Sequence, residues 1–406
     1  MSQSPRSPSI GPIEQVILLA LLSSLIALSI DSILPALSYI ERDLNVFDPN
    51  SRQFIIGATF VGMAVGMLLY GPVSDSTGRK GPIYAGIAIF MIGCVLSILA
   101  TDFNTMLVGR FLQGLGAAGP RVVSIAMIRD QYSGREMARF TSLVMTVFIL
   151  VPVLAPSLGQ LILLISHWRW IFGATFALGV IALVWFMFRQ RETLPPEKRT
   201  DFSTGRLIEA TLEVIRTPVS FGYTLLSGFV FAAFLSFLTM SQQIFQDMYG
   251  VGELFPLYFG SLALSFGGAS LTNSALVMKL GMKNLISYAL WTFVLLSLGF
   301  SGYVLTNEGQ PPLWSLEIFL LAIFFCVGIL FGNINAQAME PLGHIAGVAS
   351  AVITSISTFI SVILGTIVAQ AYNGTLLPLL VGFSCFGLLS LMVMYITNTK
   401  AAFSES

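Results

Sequence analysis

The residues with the clearest chemical potential are charges inside long apolar stretches. Asp31 lies in a stretch from about residue 15 to residue 38 that has no other charge. Arg110 and Arg121 lie in a second stretch, from about residue 105 to residue 128. A charged side chain at membrane depth is costly and is usually retained because it titrates, pairs with another charge or lines a polar cavity. These residues therefore predict a protein that moves protons or solutes across a membrane.

Composition places the whole chain in a membrane. Hydrophobic residues make up 55% of its 406 residues and charged residues only 10%, whereas a soluble protein carries about 25% charged residues. Twelve apolar segments are long enough to cross a bilayer as helices, which takes about 20 residues each. We number them spans 1 to 12, at about residues 15–38, 52–74, 81–101, 105–128, 139–163, 168–189, 218–241, 254–278, 284–305, 314–338, 345–371 and 375–397. The sequence predicts an all-α integral membrane protein.

Lys and Arg are distributed unequally between the two sides of the membrane. If the N-terminus is cytoplasmic, the outside loops hold only Arg42, Arg52 and Arg169. The inside loops and tails then hold Arg6, Arg79, Lys80, Arg129, Arg135, Arg139, Arg189, Arg191, Lys198, Arg199, Arg206, Arg216, Lys279, Lys283 and Lys400. Loops rich in Lys and Arg stay on the cytoplasmic side. We therefore expect a multi-pass protein of the inner (plasma) membrane with both termini in the cytoplasm.

The longest polar interval, residues 190–217, divides the twelve spans into six plus six. We expect an N-terminal six-helix bundle at residues 1–189, a cytoplasmic linker at 190–217 and a C-terminal six-helix bundle at 218–406. In the linker, Ile208, Leu212 and Ile215 recur at helical spacing. This pattern predicts a short amphipathic helix on the cytoplasmic face, with a solvated linker as the alternative.

Neither metal-site nor catalytic patterns are recognisable. Cys94, Cys326 and Cys385 lie in separate spans, and His167 and His344 lie at span ends. The segment GLGAAG at residues 114–119 fits a dinucleotide-binding pattern, but it lies within a span and favours close helix packing instead. We therefore expect no enzyme, no cofactor and no metal site, and no nucleic-acid partner.

Span 4 carries a polar stripe. Arg110 and Arg121 are eleven residues apart, which places them within about 20° of each other around a helix. Gln113 and Ser124 lie near the same face. We expect this stripe to line a cavity in which Arg121, Gln113 and Ser124 contact substrate. For Arg110 the alternative is snorkelling to the outer interface.

Span 1 offers a complementary face. Ser24, Asp31 and Ser38 are seven residues apart, and Pro35 interrupts the helix between them. By depth, Asp31 lies closer to Arg110 than to Arg121. Since a guanidinium favours the ionised carboxylate and desolvation favours the protonated one, small movements between Asp31 and Arg110 would load or release a proton. The alternative is a static ion pair.

The second half offers polar but uncharged candidates for substrate contact. They are Gln242 and Gln243 at the outer end of span 7, Asn273 in span 8, Asn333, Asn335 and Gln337 in span 10, and Ser355 and Thr358 in span 11. Among these we expect Gln242, Gln243, Asn333 and Asn335 to line the cavity. Hydrogen bonding between helices is the alternative for each.

Several segments resemble a known family. Residues 71–80 (GPVSDSTGRK) resemble the signature loop of the major facilitator superfamily, and residues 107–118 resemble the span 4 motif of its proton-driven drug exporters. Residues 31–36 (DSILPA) resemble the span 1 motif of the Bcr/CflA branch, the bicyclomycin and phenicol exporters. The resemblance covers all twelve spans and is clearest in the first six.

Span 5 adds the antiporter motif of these exporters, at residues 155–159 (APSLG), with Pro156 and Gly159. The chain departs from the usual pattern at Gln160, at Arg121 and in the loop after span 8, where residues 279–283 (KLGMK) carry no acid. Gln160 replaces a frequent second glycine of that motif, and Arg121 replaces what is often a small residue.

The resemblance implies two six-helix bundles that rock about a central site, with a cytoplasmic latch in the signature loop. Asp75 would face the start of span 11 near residues 343–347, where the helix dipole favours an anion. Arg79 would pair with Asp130. Gly71 and Gly78 would permit close packing and the turn, and Lys80 belongs to the same loop.

Together these features predict a proton-coupled antiporter that exports small amphipathic compounds across the inner membrane. Its partners would be the small-molecule substrate, protons and membrane lipid. A proton-coupled transporter of a metabolite, in either direction, is the alternative, and a channel is a third possibility. Because the stripe has two arginines against one carboxylate, we expect neutral, zwitterionic or anionic compounds to be carried better than quaternary cations.

Overall fold

The computed structural model describes residues 11–404, and this part of the chain is almost entirely helical. Span 1 comprises Pro12–Asp31 and Leu37–Asp43, and spans 2 to 6 are Phe54–Thr77, Lys80–Leu99, Phe103–Gln131, Gly134–Ile165 and Arg169–Arg189. A linker helix, Thr204–Arg216, follows. Spans 7 to 12 are Pro218–Gln242, Phe255–Leu280, Met282–Thr306, Leu313–Met339, Ala346–Gln370 and Leu377–Ser404. Arg6 lies outside the described residues.

The number of spans agrees with the prediction. In the described chain, eleven helical stretches are long and apolar enough to cross a membrane, and one of them, Leu313–Gln370, has 58 residues. Since about 20 residues suffice for one crossing, that stretch provides two. A 3₁₀ turn, Glu340–Ile345, separates its two helices. The predicted architecture of twelve helices is confirmed.

Span 1 is broken where the sequence predicted an interruption. Its first segment ends at Asp31, a single 3₁₀ turn follows at Leu34–Ala36, and the second segment begins at Leu37. Pro35 has no backbone N–H and cannot continue the α-helical bonding. The hydroxyl of Ser32 donates to the Leu28 carbonyl at 2.6 Å, which satisfies one acceptor near the break. Asp31 consequently lies beside irregular backbone at membrane depth.

Small residues bring span 4 close to spans 2 and 3. A Cβ atom on Gly114 would overlap the backbone of span 2 at Thr59, and one on Gly116 would overlap the backbone of span 3 at Phe90. Only glycine permits these approaches, so the packing role expected for residues 114–119 is confirmed.

The two bundles meet along spans 2 and 11 and along spans 5 and 8. The Ser355 hydroxyl of span 11 donates to the Ala64 carbonyl of span 2 at 2.9 Å. Phe60 of span 2 packs edge to face on Phe231 of span 7, with ring centroids 5.7 Å apart. Interlocked aromatic and backbone contacts of this kind hold the halves in register.

The linker contains a helix, Thr204–Arg216, whose packing differs from that of a solvated linker. Ala210 and Val214 are buried against spans 7 and 11. Ile208, Leu212 and Ile215 face away from the protein and are 59%, 42% and 43% exposed. The helix therefore presents an apolar edge beside the membrane end of the second bundle.

We expect Gly114→Ala to lower the thermal stability of the purified protein in detergent. The added methyl group forces span 2 away, and overpacking of this kind costs about 1–3 kcal/mol. The control is Gly268→Ala in span 8, where a Cβ would meet nothing within 4 Å. That substitution should leave the melting temperature unchanged or raise it, because glycine inside a helix costs about 1 kcal/mol relative to alanine. Equal melting temperatures for the two variants would contradict the packing argument.

Candidate functional site

We use "inner" for the side predicted to be cytoplasmic and "outer" for the opposite side. Asp31 is only 6% exposed, and no described residue forms a hydrogen bond or an ion pair with its carboxylate. Gly159 of span 5 packs directly on the break in span 1. A Cβ atom there would overlap the Ser32 carbonyl and lie 3.3 Å from Cγ of Pro35. The glycine of the antiporter motif thus touches the irregular backbone that holds the uncompensated carboxylate.

Arg110 is fully buried, and oxygen atoms that are not carboxylates accept hydrogen bonds from its Nε and Nη1, whereas its Nη2 has no partner among the described residues. Its Nη1 donates to the carbonyl and the hydroxyl of Ser29, at 3.0 and 2.9 Å, and to Oε1 of Gln113 at 2.6 Å. Its Nε donates to the Ile55 carbonyl at 3.3 Å. Snorkelling to the outer interface is therefore wrong for this side chain.

The ion pair between Asp31 and Arg110 that the sequence suggested is not formed in this structure. Arg110 binds Ser29, and side chains two positions apart point about 160° away from each other around a helix. The side chain of Asp31 therefore points away from that of Ser29. A joint role of the two residues in proton coupling stays a prediction.

Gln113 extends the Arg110 network to span 3. Its Nε2 donates to the Gly93 carbonyl at 3.1 Å and to the Ser97 hydroxyl at 2.8 Å. Gln113 and Ser124 are fully buried, so neither faces open space in this structure. Their expected contact with substrate stays a prediction, and the geometry gives Gln113 a clear role in joining helices.

Arg121 is the member of the stripe that remains partly exposed. Its guanidinium lies 5.0 Å from the centre of the Phe148 ring of span 5, a cation–π contact. In the described chain, no carboxylate lies within 4.0 Å of it and no hydrogen bond satisfies it. This residue has the character that the sequence expected of a cavity group.

The candidates of the second half divide into two groups. Asn333 donates to Oδ1 of Asn273 at 2.6 Å. This pair joins spans 10 and 8, which is the hydrogen bonding between helices considered as the alternative to substrate contact. Asn335 is partly exposed and donates to the Phe331 carbonyl one turn earlier. Gln242 and Gln243 lie instead at the outer junction between the bundles, where they are almost fully buried. Their part in a central cavity is not supported by this geometry.

That outer junction is a polar network centred on Arg52. The Arg52 side chain is 4% exposed, pairs with Glu41 of span 1 at 2.9 Å and also pairs with Asp247 beyond span 7. Nearby, Gln53 donates to Oε1 of Gln243 at 2.5 Å. Since the contacts of Arg52 with Asp247 and of Gln53 with Gln243 cross between the bundles, they close the outer side of the molecule.

The network continues to span 11. Asn50 donates to the carbonyls of Gln370 and Tyr372 at 3.1 and 2.9 Å, and Gln370 donates back to the Asn50 carbonyl at 2.8 Å. Sequence reasoning used Arg52 only as an outside-loop charge and did not consider Asp247. No local pattern signals the pairing, because the partners lie in different halves of the chain.

The predicted pair of Arg79 and Asp130 is confirmed on the inner side. Nε and Nη2 of Arg79 donate to the two carboxylate oxygens of Asp130 at 2.8 and 3.1 Å. Gly78 ends span 2 with φ of 97°, a conformation that favours glycine. The pairing of Arg79 with Asp130 and the turn at Gly78 are therefore present as the family resemblance implied.

Asp75 departs from expectation. It pairs with Arg79 at 2.5 Å and not with residues 343–347, because Arg79 lies one turn along from it and is the nearest cation. Gly71 provides the contact with span 11 instead, with its added Cβ 3.9 Å from Cβ of Ala351. In this structure the latch is chiefly internal to the first bundle.

Glu192 of the linker stabilises this latch through a contact that no sequence pattern indicates. Its carboxylate accepts the backbone N–H groups of Arg79 at 2.8 Å and Lys80 at 3.0 Å, at the start of span 3. Burial alone would raise the pKa of Glu192, but N–H donation from Leu194, Arg79 and neighbouring residues holds it below its usual range. The carboxylate is therefore ionised at neutral pH.

Other linker groups reinforce the clamp. The Thr193 hydroxyl donates to Asp130 at 2.9 Å, and the Lys80 ammonium donates to the Gln190 carbonyl at 2.9 Å. The Thr200 N–H donates to the Asp75 carbonyl at 3.0 Å. The first part of the linker is thus bound to the loop of residues 71–80.

Comparison with known proteins gives this geometry its context. A family model described as Major Facilitator Superfamily matches residues 19–366. The chain is 31% identical over 360 residues to the uncharacterized MFS-type transporter YdgK of Bacillus subtilis, covering 87% of this chain and 86% of that protein. It is 28% identical over 394 residues to a bicyclomycin resistance protein homolog of Haemophilus influenzae, covering 95% and 96%.

A third relative is the multidrug resistance protein MdtL of Citrobacter koseri, 31% identical over 337 residues that cover 80% of each chain. Among solved structures, a D-xylose-proton symporter aligns with a TM-score of 0.73 at 15% identity, over 95% of this chain and 98% of that one. At this identity the likeness shows the fold alone, and it confirms the predicted arrangement of two six-helix bundles.

We expect Arg52→Gln to open the outer side. It leaves Glu41 and Asp247 without their cation, and losing hydrogen bonds to a charged group costs about 1.5–3 kcal/mol. Spin labels are attached at Phe47→Cys and Glu253→Cys in a background without the native cysteines. The population of long distances between the two labels should be several-fold larger than in the protein that retains Arg52. Arg42→Gln, at an exposed outer arginine, is the matched control. Identical distance distributions in both variants would show that Arg52 does not hold this side closed.

We expect Glu192→Gln to release the linker from the latch, since charge-assisted hydrogen bonds are roughly twice as strong as neutral ones. Trypsin added to inside-out vesicles should cut the linker at Arg191, Lys198 or Arg199 several-fold faster than in the parent. Glu197→Gln is the control, because Glu197 is exposed on the same linker. If both variants are cut at the parent rate, the clamp has been misassigned.

Proposed function

The chain belongs to the major facilitator superfamily and is a multi-pass membrane transporter rather than an enzyme, and on this premise we propose that it exports small amphipathic compounds in exchange for protons. Its relatives include proteins named for bicyclomycin and multidrug resistance, which supports a drug-like substrate. The direction of transport is from the cytoplasm outward across the inner membrane, with both termini cytoplasmic.

The observation that supports proton coupling is the state of the Asp31 carboxylate. A carboxylate with no partner at membrane depth is costly when ionised, so it binds and releases protons as its surroundings open and close. Its position beside Gly159 links that change to movement of span 5. A resting structural carboxylate would instead be paired, as Glu41 is with Arg52.

Alternating access follows from the two ends of the molecule. The outer side is closed by pairs that cross between the bundles, whereas the inner latch lies mostly within the first bundle and its linker. This arrangement fits an inward-facing state in which a compound enters the space between the bundles from the cytoplasm. Rocking of the halves at residues 1–189 and 218–406, joined by the linker at 190–217, then exposes the site outward.

The test uses purified protein in proteoliposomes with an imposed pH gradient and a panel of phenicols, bicyclomycin and small metabolites. We expect gradient-driven, saturable flux of a drug-like compound. Asp31→Asn should insert and fold normally, because the amide is isosteric and removes a costly charge, yet lose transport driven by the gradient.

Glu317→Gln in span 10 is the control. That carboxylate hydrogen-bonds with the Ser261 hydroxyl and so has a structural partner. Proton-coupled flux that survives Asp31→Asn but not Glu317→Gln would move the coupling site to the second bundle. Coupled flux of one metabolite and of no drug would replace the exporter by a metabolite transporter, and conductance without saturation would indicate a channel.

A further inference from the structure

Arg121 differs from the other buried or half-buried arginines in what surrounds it. Arg52 is paired with Glu41 and Asp247, and Arg79 with Asp75 and Asp130. Arg110 has no acid beside it, but its guanidinium donates to four oxygen acceptors. Within the described chain, Arg121 has neither a carboxylate nor a carbonyl acceptor, and only the face of Phe148 contacts its guanidinium.

This lack is significant because of the guanidinium's chemistry. An arginine carries five N–H donors in a planar fork and remains charged. At membrane depth, a charge of this kind is retained where it lines a polar cavity or meets a ligand. One aromatic face contributes about 0.5–2 kcal/mol and leaves the N–H donors free.

The position of Arg121 also separates it from the carboxylate assigned to the proton. Arg121 is eleven residues inward of Arg110 on the same helix, which is about 16 Å along the axis. Arg110 in turn contacts Ser29, two residues from Asp31. Asp31 therefore cannot neutralise Arg121 in this structure, and a negative group on a substrate meets no competing acid there.

We propose that Arg121 is the anion-binding group of the transport site, and that the preferred substrates are amphipathic organic anions, an apolar body carrying one carboxylate or similarly planar anionic group. The proposal rests on the proposed function and narrows its substrate class. The guanidinium fork binds two oxygen atoms of a carboxylate at once. Phe148 covers one face of the guanidinium and holds its plane.

The experiment compares three compounds built on one aromatic scaffold, an aryl carboxylate, its neutral primary amide and its quaternary ammonium analogue. Competition and flux are measured in proteoliposomes at several pH gradients. With Arg121 intact, the carboxylate should be preferred over the amide by about tenfold or more, which corresponds to at least about 1.4 kcal/mol. The quaternary cation should be carried least.

Arg121→Gln should abolish the preference for the carboxylate over the amide, because the charged fork that binds two carboxylate oxygens is lost. Arg121→Lys should keep part of it, because a point charge remains without the bidentate fork. Arg129→Gln, at an exposed arginine of the inner end of span 4, should keep all of it. Binding of the carboxylate to detergent-purified variants, with their melting temperatures, supplies a readout that does not depend on transport.

An unchanged preference in Arg121→Gln, or a cation carried as fast as the amide by the parent protein, would overturn the anion site. Gradient-driven flux of the amide tests the antiport separately. If the amide moves with the pH gradient and the carboxylate shows no advantage, only the substrate class fails. If the carboxylate binds through Arg121 but no compound responds to the gradient, the proton coupling fails and the anion site stands.

Discussion

The requirement that a buried guanidinium be satisfied organises the first bundle. Arg110 is completely inaccessible, and leaving such a group without acceptors would cost several kcal/mol. Its donors reach span 1 at Ser29 and span 2 at Ile55, and Gln113 passes the network on to span 3. Four helices are consequently held at fixed rotations about their axes. This rotation is also what turns Asp31 away from Arg110 and leaves its carboxylate without a partner.

Glycines at the helix contacts make this organisation possible. Gly114 and Gly116 bring the backbone of span 4 so close to its neighbours that no side chain fits between them. At such distances the helices cannot slide independently, and the first bundle moves largely as one body. Gly159 extends the contact to the break in span 1, where irregular backbone is tolerated because it is enclosed by protein. Asp31, which precedes that break, and span 5, which contacts the second bundle, are therefore mechanically joined.

The two ends of the molecule are closed by different means. At the outer end, Arg52 and Asp247 join opposite bundles, so separation of the bundles must break an ion pair in which the arginine is buried. At the inner end, Arg79 and Asp130 belong to the same bundle, and Glu192 ties them to the linker. Breaking the outer pairs removes a favourable interaction, and hydration of the exposed charges partly compensates for that loss. The net cost of opening the outer side is therefore smaller than the interaction energy of the pairs.

The sequence by itself determined the features that depend on local pattern. Apolar segment length predicted the twelve spans, Pro35 predicted the break beside Asp31, and the loop motif predicted the pair of Arg79 and Asp130. Only the tertiary structure decided the contacts that join distant segments: Arg52 with Asp247, 195 residues apart, and Glu192 with Arg79, 113 residues apart. Depth along a helix can be read from residue number, but the direction in which a side chain points depends on how each helix is rotated against its neighbours. That rotation is set by packing and by the acceptors around Arg110, which is why the sequence suggested an ion pair between Asp31 and Arg110 that the fold does not form.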